Sequence, residues 1–493
     1  MDRVDSLLAT LDRSRLSVLA GVPLVTFIAA KALVDPVRPE DFWWHLRMGR
    51  LIVDTFAIPR ADAWTFTFHG TPFFDQPWLA QVLFYFFERL VSLAGVIAFG
   101  FLVACATEAI VVVASMRRGA SLPRALLVQL FVSEIGVRGW SLRPQLFATS
   151  LFALAVVLLG DCRDVSDAQA RRRSWALPIL AIVWANLHGS FPLLFVLIGT
   201  TAVATAIDAP RGERARRLLE WIPVSVACFL ATLVNPRGLA VYEYVAHLLA
   251  SGSLASALEW KPLLAGRVPF ETIYVLVALL LVFGLALARR ARWGDLVMLA
   301  PFVLLELRAV RNGIWLSLVL APIIASWLSA ARDRSQKRRD TTFVTVAAIA
   351  IALFLPWVKP HLFPPPYRSL FWLPRTPIAA VESIRRDAWH PQRLYTGVGF
   401  GSYVEAVLDD VPVFVDSRFE LYPEDFVRRS IDQEVGPTVD TLLDEYRFDA
   451  WLVDKHREAA LAEELRSRPD LVVRYEDDDA VYFTSRPLVG GAT

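Results

Sequence analysis

Cross-links and one-sided charge are both scarce in this sequence of 493 residues. There are three cysteines, Cys105, Cys162 and Cys228, and none of them forms a CxxC pair. Each falls in or beside an apolar run, so they read as small buried hydrophobes, and neither a disulfide framework nor a zinc site is expected. No basic patch is present. The 51 Lys and Arg residues against 49 Asp and Glu give a net charge of +2, with the basic residues scattered over short loops. That scatter argues against a nucleic-acid partner. No small-residue cleavage pattern follows the first apolar run, and a charged, helix-like segment (residues 1–15) precedes it, so a cleaved signal peptide is not expected.

Apolar sequence is abundant. Hydrophobic residues make up 55% of the chain and charged residues 20%, and mean hydropathy is +0.44. Apolar runs fall at residues 16–34, 92–115, 122–137, 144–160, 175–187, 190–207, 219–234, 271–288, 294–307, 312–330 and 342–358. Against the roughly 20 residues that a helix needs to cross a bilayer, these predict about eleven spans and a mainly α, polytopic α-helical membrane protein. With the N-terminus in the cytoplasm, the basic clusters share the inner side: Arg117, Arg118 and Arg124; Arg171–Arg173; Arg211, Arg214, Arg216 and Arg217; Arg289, Arg290 and Arg292; and Arg332 to Arg339. The positive-inside rule therefore predicts an inner (plasma) membrane protein with a cytoplasmic N-terminus.

The outer side collects polar residues instead. It receives the stretch 35–79, DPVRPEDFWWHLRMGRLIVDTFAIPRADAWTFTFHGTPFFDQPWL, within a first external loop of residues 35–91. This stretch is too polar to span and rich in Trp and Phe, as suits a membrane interface. The same side receives Arg138 and Arg143, Asn186 and His188, Asn235, Glu259, Arg308, Arg311 and Asn312. Ionisable groups at membrane depth are costly unless they are paired or line a wet cavity, so their sidedness marks a candidate site near the outer leaflet.

Several of these residues carry chemistry, each beside a plainer role. Asp41 begins a helix, where the N-terminal dipole favours an ionised carboxylate. It is the candidate general base for an acceptor hydroxyl, with a helix cap as its alternative and Glu40 and Asp35 as competitors. His45, four residues on, shares a helix face with Asp41 and is a candidate for phosphate or metal binding, or is structural. Asp62 and Asp75 bind substrate or satisfy local turns. Arg138 and Arg143 suit a bidentate grip on a lipid-linked phosphate, or snorkel to head groups. Asn186 and His188 occupy a break between spans that is tolerated where it lines a wet cavity. Glu259, Arg311 and Asn312 complete the set, with Arg308, Arg311 and Asn312 as a second phosphate clamp or as partners for the loop carboxylates.

After the spans the composition changes. Residues 359–377 are rich in proline and aromatics, which predicts a stiff linker. Residues 378–493 alternate helical and strand patterns: helices near AAVESIRRD, GFGSYVEAVL, EDFVRRSIDQEV, TVDTLLDEYR and AALAEELRSR, with strands near RLYTG, VPVFVDS and DAWLVD and a closing hairpin over LVVRYEDDDAVYFTS. They predict a small C-terminal extracytoplasmic α/β domain. The turn Gly397–Gly401 is a weak phosphate-loop signal that lacks the full dinucleotide fingerprint.

The run from Pro39 to Leu79 resembles the N-terminal signature of bacterial polytopic proteins of the GT-C glycosyltransferase superfamily: an acidic-W-H-L-x-x-G segment, then D-x-[FW]-[ST] and D-x-x-W-L. RPQLFA, WANLHGSF, LVNPRGL and LEWKP look like the later membrane motifs of that group, and VFVDSRFELY with YEDDDAVYF looks like its soluble tail. The resemblance spans nearly the whole chain. It implies a GT-C-like membrane domain over residues 16–358. It also implies a polyprenyl-phosphate sugar donor used on the extracytoplasmic side, inverting transfer to a glycan, lipid or protein acceptor, and Asp41 in the role of the first-loop acid. The second acid of the family's paired carboxylates falls on Pro39, so no cofactor is required by the pattern; Glu40 and Asp41 are the residues that a divalent cation, Mg or Mn, would take. Expected partners are this donor, its acceptor and membrane lipids. A lipid-linked-glycan flippase without a base, or a scaffold whose tail binds glycan, are the alternatives.

Overall fold

The computed structural model describes residues 40–161, 172–250, 258–265, 269–288, 291–328, 355, 357–358, 361, 375–387, 389–431 and 439–485. The segment 1–15, the run 16–34, most of 342–358 and nearly all of the linker 359–377 lie outside them. In chain order the helices used below are α1 (Asp41–Thr55), α2 (Trp78–Arg117), α3 (Leu122–Ser133), α4 (Gln145–Asp161), α5 (Leu177–Leu187), α6 (Leu193–Asp208), α7 (Ile222–Thr232), α8 (Pro269–Ala288), α9 (Trp293–Arg308) and α10 (Gly313–Trp327). The tail adds α11 (Ile378–Arg386), β1 (Leu394–Thr396), α12 (Val398–Val407), α13 (Glu424–Ile431), α14 (Val439–Tyr446), β2 (Ala450–Asp454), α15 (Ala459–Ser467), β3 (Leu471–Glu476) and β4 (Ala480–Ser485). The protein is thus mainly helical with a small C-terminal sheet.

Two compact units divide the chain. One is helical, and its described parts lie within Leu90–Glu243 and Leu258–Leu370. Each apolar run between 92 and 330 falls on one of the helices α2 to α10; the first falls on the part of α2 after a break in helical backbone at Ser92, and the part before it, from Trp78, is helix within the segment 35–91 expected as an external loop. Trp78–Arg117 and Val310–Trp327 are long and apolar enough to cross a membrane, while five further apolar helices have 10–17 residues. Phe152, Trp184, Phe302 and Trp315 form its aromatic centre, with ring centroids 5.1–6.4 Å apart. Its outer faces are also apolar: Ile179, Leu230, Leu280, Phe283, Leu287 and Leu304 are all exposed. A helix that is hydrophobic on every side suits a membrane better than water.

The described parts of the other unit lie within Pro36–Arg89, Tyr244–Ala257 and Phe371–Thr493, so the first loop folds with the tail. Its core joins Trp44, Met48, Ile52, Trp64 and Phe73 of the loop to Phe414, Leu421, Tyr422, Phe426, Trp451 and Phe483 of the tail. Each such large apolar side chain contributes about 1.5–3 kcal/mol on burial. The sheet runs β1-β2-β4-β3, with β1 and β2 parallel and β3 and β4 an antiparallel hairpin. VPVFVDS, expected as a strand, forms only isolated bridges at Val413, to Leu394 on one side and to Thr65 of the loop on the other. The reason is local: Pro412 has no N–H to give a ladder, and the loop takes the free edge, with Phe66 N–H bonding Val413 O at 3.1 Å and Val413 N–H bonding Trp64 O at 3.1 Å.

Helix α1 begins at Asp41 as the sequence predicts, and it buries Trp43, Trp44, His45, Met48, Gly49 and Ile52. Gly49 is essential to that packing, because a Cβ there would overlap the Gln81 carbonyl of α2. Gly49→Ala is expected to destabilise the protein by about 1–3 kcal/mol, the usual range for an overpacked core. Thermal unfolding followed by tryptophan fluorescence checks this; an unchanged midpoint would show that the two backbones are not held in contact.

Candidate active-site residues

In the helical unit, glycine packing draws the polar residues together. The turn Val137–Trp140 closes against the start of α10, and a Cβ on Gly313 would overlap the Ile135 carbonyl. Arg143 Nη1 donates to both Glu259 oxygens, at 3.0 and 2.9 Å, and Arg311 Nη1 donates to Oε1 at 3.1 Å. Arg311 also donates to Gln145 Oε1 at 3.3 Å and lies 4.3 Å from the centre of the Trp260 ring. Two guanidinium groups thus share the Glu259 carboxylate in a half-buried cluster. The sequence analysis placed Arg143, Glu259 and Arg311 on one side without pairing them; the structure brings these three together, and Gln145 is an addition that its place in an apolar run concealed.

Asn186, Asn312 and His188 bond the backbone. Asn186 Nδ2 donates to the carbonyls of Ile182 and Val234, each at 2.8 Å, and so ties α5 to the end of α7. Asn312 Nδ2 donates to Leu305 O at 2.9 Å and caps α9. His188 Nδ1 accepts from the backbone N–H of Ser190 at 3.1 Å, with the Ser190 hydroxyl 2.8 Å away. Arg138 lies in the Val137–Trp140 turn, and its side chain is outside the described atoms.

In the loop and tail unit Asp41 occupies the first turn of α1, while Glu40 precedes the helix without capping it. Arg457 Nη2 donates to Glu40 at 2.7 Å and anchors this helix start to the tail. Beside Asp41 lies Glu420 of the tail, whose carboxyl is pushed up to about 7 by burial first, with the charge of Asp41 adding to it. Beneath is a fully buried ion group. Arg418 donates to Asp62 at 2.6 Å and to Asp416, all with side chains at most 1% exposed. Asp62 also accepts from Thr65 N–H at 3.0 Å and from the Thr65 hydroxyl at 2.7 Å, so both of its oxygens are used inside the protein. Glu405 is buried too, and burial followed by the charge of Asp416 pushes its carboxyl well above the usual range. His45 and Asp75 meet through Gln81, which lies in the same unit.

The Gly397–Gly401 turn does not hold an anion-binding cradle. A Cβ on Gly397 would stand 2.7 Å from Glu458 Oε1, so a carboxylate of the protein fills the space beside it. Glu458 accepts from Tyr395 OH at 2.8 Å and from Asp454 N–H at 3.0 Å; burial pushes it up to about 7, against these two hydrogen bonds and the charge of Arg457, with the charge of Asp454 adding to the rise. As to metal, no group of three or more His, Cys, Asp or Glu side chains that could hold an ion occurs among the described residues. Glu40 is engaged by Arg457, so the described side chains at Glu40 and Asp41 do not fit a divalent cation.

Glu420 and Glu458 give the fold a pH dependence. Both bind a proton more tightly folded than unfolded, so their contribution is full below about 4.5 and is lost as pH rises through about 7. The groups facing them are Asp41, Asp416 and Arg418 for Glu420, and Tyr395, Asp454 and Arg457 for Glu458. The unfolding midpoint is expected to fall between pH 5.5 and pH 8, and to fall less in Glu458→Gln. A midpoint that rises over this interval would contradict these assignments.

No family model matches the chain, and no curated protein matches its sequence. Solved structures do. ArnT from Cupriavidus metallidurans, bound to undecaprenyl phosphate, superposes with a TM-score of 0.52 at 14% identity, over 97% of this chain and 99% of that one. The archaeal oligosaccharyltransferase AglB from Archaeoglobus fulgidus, in complex with an inhibitory peptide and a dolichol-phosphate, gives a TM-score of 0.52 at 12% identity, over 91% of this chain and 70% of that one. The chain has a GT-C-like fold.

Proposed function

We propose that this protein is a membrane glycosyltransferase that moves a sugar from a polyprenyl-phosphate donor to an extracytoplasmic glycan, lipid or protein. The observation that carries the reading is the likeness, over nearly the whole length of both chains, to ArnT solved with undecaprenyl phosphate. Two features of the residues support it. Asp41 stands in the first turn of α1, where the helix dipole favours its ionised form. Arg143 and Arg311 converge on one carboxylate, that of Glu259, and so place two guanidinium groups side by side.

In this reaction Asp41 accepts the proton of the acceptor hydroxyl while that oxygen attacks the anomeric carbon. The bond between that carbon and the phosphate oxygen breaks, and the electron pair leaves with the polyprenyl phosphate. Attack opposite the leaving group inverts the anomeric centre. Arg143 and Arg311 hold the phosphate and offset the charge it gains, the general role of fixed cations at a developing anion. Asp62, Asn186 and Asn312 act one step back, as supports for the segments that carry these groups. The N-terminus is cytoplasmic and the tail extracytoplasmic in this reading, and the apolar outer faces of the helical unit lie against lipid.

Binding of undecaprenyl phosphate to the purified protein tests the arginine assignment. Arg143→Ala and Arg311→Ala are each expected to raise Kd by roughly 10-fold or more, since charged hydrogen bonds are worth about 1.5–3 kcal/mol. Unchanged affinity in both, with the fold intact, would remove these arginines from the phosphate site.

A further inference from the structure

Beyond the end of α5 the residues His188, Gly189 and Ser190 form a half-buried turn. Trp184 Nε1–H donates to Ser190 Oγ at 3.1 Å. Ser190 Oγ lies 2.8 Å from His188 Nδ1, and the Ser190 backbone N–H donates to the same nitrogen at 3.1 Å. A backbone amide has only a hydrogen to offer, so Nδ1 presents a lone pair to it and the imidazole hydrogen sits on Nε2. The Ser190 hydroxyl then gives its hydrogen to Nδ1, while its own lone pair takes the indole hydrogen. Trp184 is fully buried, with its ring against those of Phe152 and Trp315, and so anchors the chain. Nε2 takes no partner among the described residues, and it is not sealed inside the protein.

The same packing sets what the ring faces. The rings of Trp184 and Trp315 lie 6.4 Å apart, with His188 four positions after the first and Arg311 four positions before the second. His188 is thus brought to the end of the helical unit where Arg311 bonds Glu259 and Gln145. Burial, and then the charge of Arg311, lower the imidazole to about 3. We propose that Trp184 and Ser190 are positioning residues that hold His188 as a neutral imidazole with its hydrogen on Nε2, and that His188 gives this hydrogen to an anionic phosphate oxygen bound at the Arg311 end of the helical unit. The phosphate in this statement rests on the glycosyl transfer proposed above; the tautomer does not. The ring supplies direction where the arginines supply charge.

The test is nitrogen NMR on the full chain, labelled at histidine and purified in lipid nanodiscs, with no donor present. The chain has seven histidines, and His188→Phe assigns the signals of interest by their disappearance. The expected spectrum shows an unprotonated Nδ1 and a protonated Nε2 for His188 from pH 5.5 to pH 8. A hydrogen on Nδ1 in that range, as the other tautomer or as imidazolium, overturns the proposal, and the wild type alone decides this. Ser190→Ala removes one of the two hydrogens given to Nδ1 and is expected to move that signal toward a free imidazole nitrogen; an unmoved signal in the folded variant takes the hydroxyl off the ring. Trp184→Phe, which keeps an aromatic ring and loses the N–H, is expected to move it in the same direction.

Undecaprenyl phosphate and inorganic phosphate are then added separately. A shift of the Nε2 signal with the lipid alone assigns a lipid-linked phosphate, and a shift with both assigns the phosphate group itself. Lipid bound without a shift removes the contact, as does a wild type that binds neither probe. His188→Phe is expected to raise Kd for undecaprenyl phosphate about 10-fold, the scale of a hydrogen bond to a charged group. His188→Gln, whose amide places a hydrogen near that of Nε2, is expected to recover most of the loss; equal affinity in all three proteins also removes the contact. An enzyme that transfers no sugar leaves the donor-free spectrum unaffected, so the two readings fail separately.

Discussion

With a donor and acceptor that support turnover, Asp41→Asn is expected to lower the rate of sugar transfer by about 10²–10⁴ while undecaprenyl phosphate still binds; this is the span that a positioned general base supplies. The change removes the proton acceptor and keeps the size of the side chain. Asp41 is half-buried, and the neighbouring pair of Glu40 and Arg457 anchors the helix start. The effect should fall on kcat more than on KM, since proton removal is made in the transition state. Glu40→Gln provides the contrast. It breaks the ion pair with Arg457, so it should disturb the start of α1 and lower activity less than Asp41→Asn does. Equal transfer by wild type and Asp41→Asn would take Asp41 out of the chemistry and leave Glu420, beside it, as the carboxylate to examine next.

Arg418→Met is expected to cost about 3–5 kcal/mol of stability, which is a fall of order 10 °C in Tm, because Asp62 and Asp416 would then be buried without a counter-charge. The loss should be large even though Arg418 touches no substrate in the proposed mechanism. Its guanidinium is the bond between the loop and the tail: Asp62 comes from one, Asp416 from the other, and the rings of Trp64 and Phe73 lie 4.7 and 5.2 Å away. Neutralising the acids as well should recover part of the loss. In the triple variant Arg418→Met, Asp62→Asn, Asp416→Asn no charge is left behind, and replacing a buried ion group wholly is far less costly than removing one member. Thermal unfolding of the full chain measures both. A single variant as stable as the wild type would show that the carboxylates are not ionised in the folded protein.

Arg418 also marks the limit of what the sequence reveals. Runs of apolar residues and local turns are written in neighbouring letters, so the helices from α2 to α10, the start of α1 at Asp41 and the strands β1, β2, β3 and β4 could be read directly. Arg143, Glu259 and Arg311 were expected on one side from the positive-inside pattern, but their pairing was not legible, since the bonded pairs lie 116 and 52 positions apart. The salt bridge between Arg418 and Asp62 joins residues 356 positions apart, and no periodicity signals it. The same distance hides the bridge of Val413 to Thr65, which is why VPVFVDS reads as a strand of the tail when its partners come partly from the loop. Gln81 was hidden by its surroundings: it stands at the start of an apolar helix, and only the approach of α1 at Gly49 shows what its amide serves. The glycines of GVGFG carry the opposite lesson. A spacing that suggests a phosphate loop has a plainer cause in close packing, of Glu458 against Gly397 and of the Val415 carbonyl against Gly401.

The central claim is the proposal that this protein is a membrane glycosyltransferase, and its most direct test is donor cleavage. Wild-type protein, purified in detergent, is mixed with a panel of polyprenyl-phosphate sugars, and the release of polyprenyl phosphate is followed with and without crude extracytoplasmic acceptor. The account predicts that at least one donor is cleaved, faster with acceptor present, and that the product sugar has the opposite anomeric configuration. Binding of the lipids with no cleavage of any donor, joined to movement of lipid-linked glycan across liposome membranes, would contradict it and identify a flippase built on the same fold.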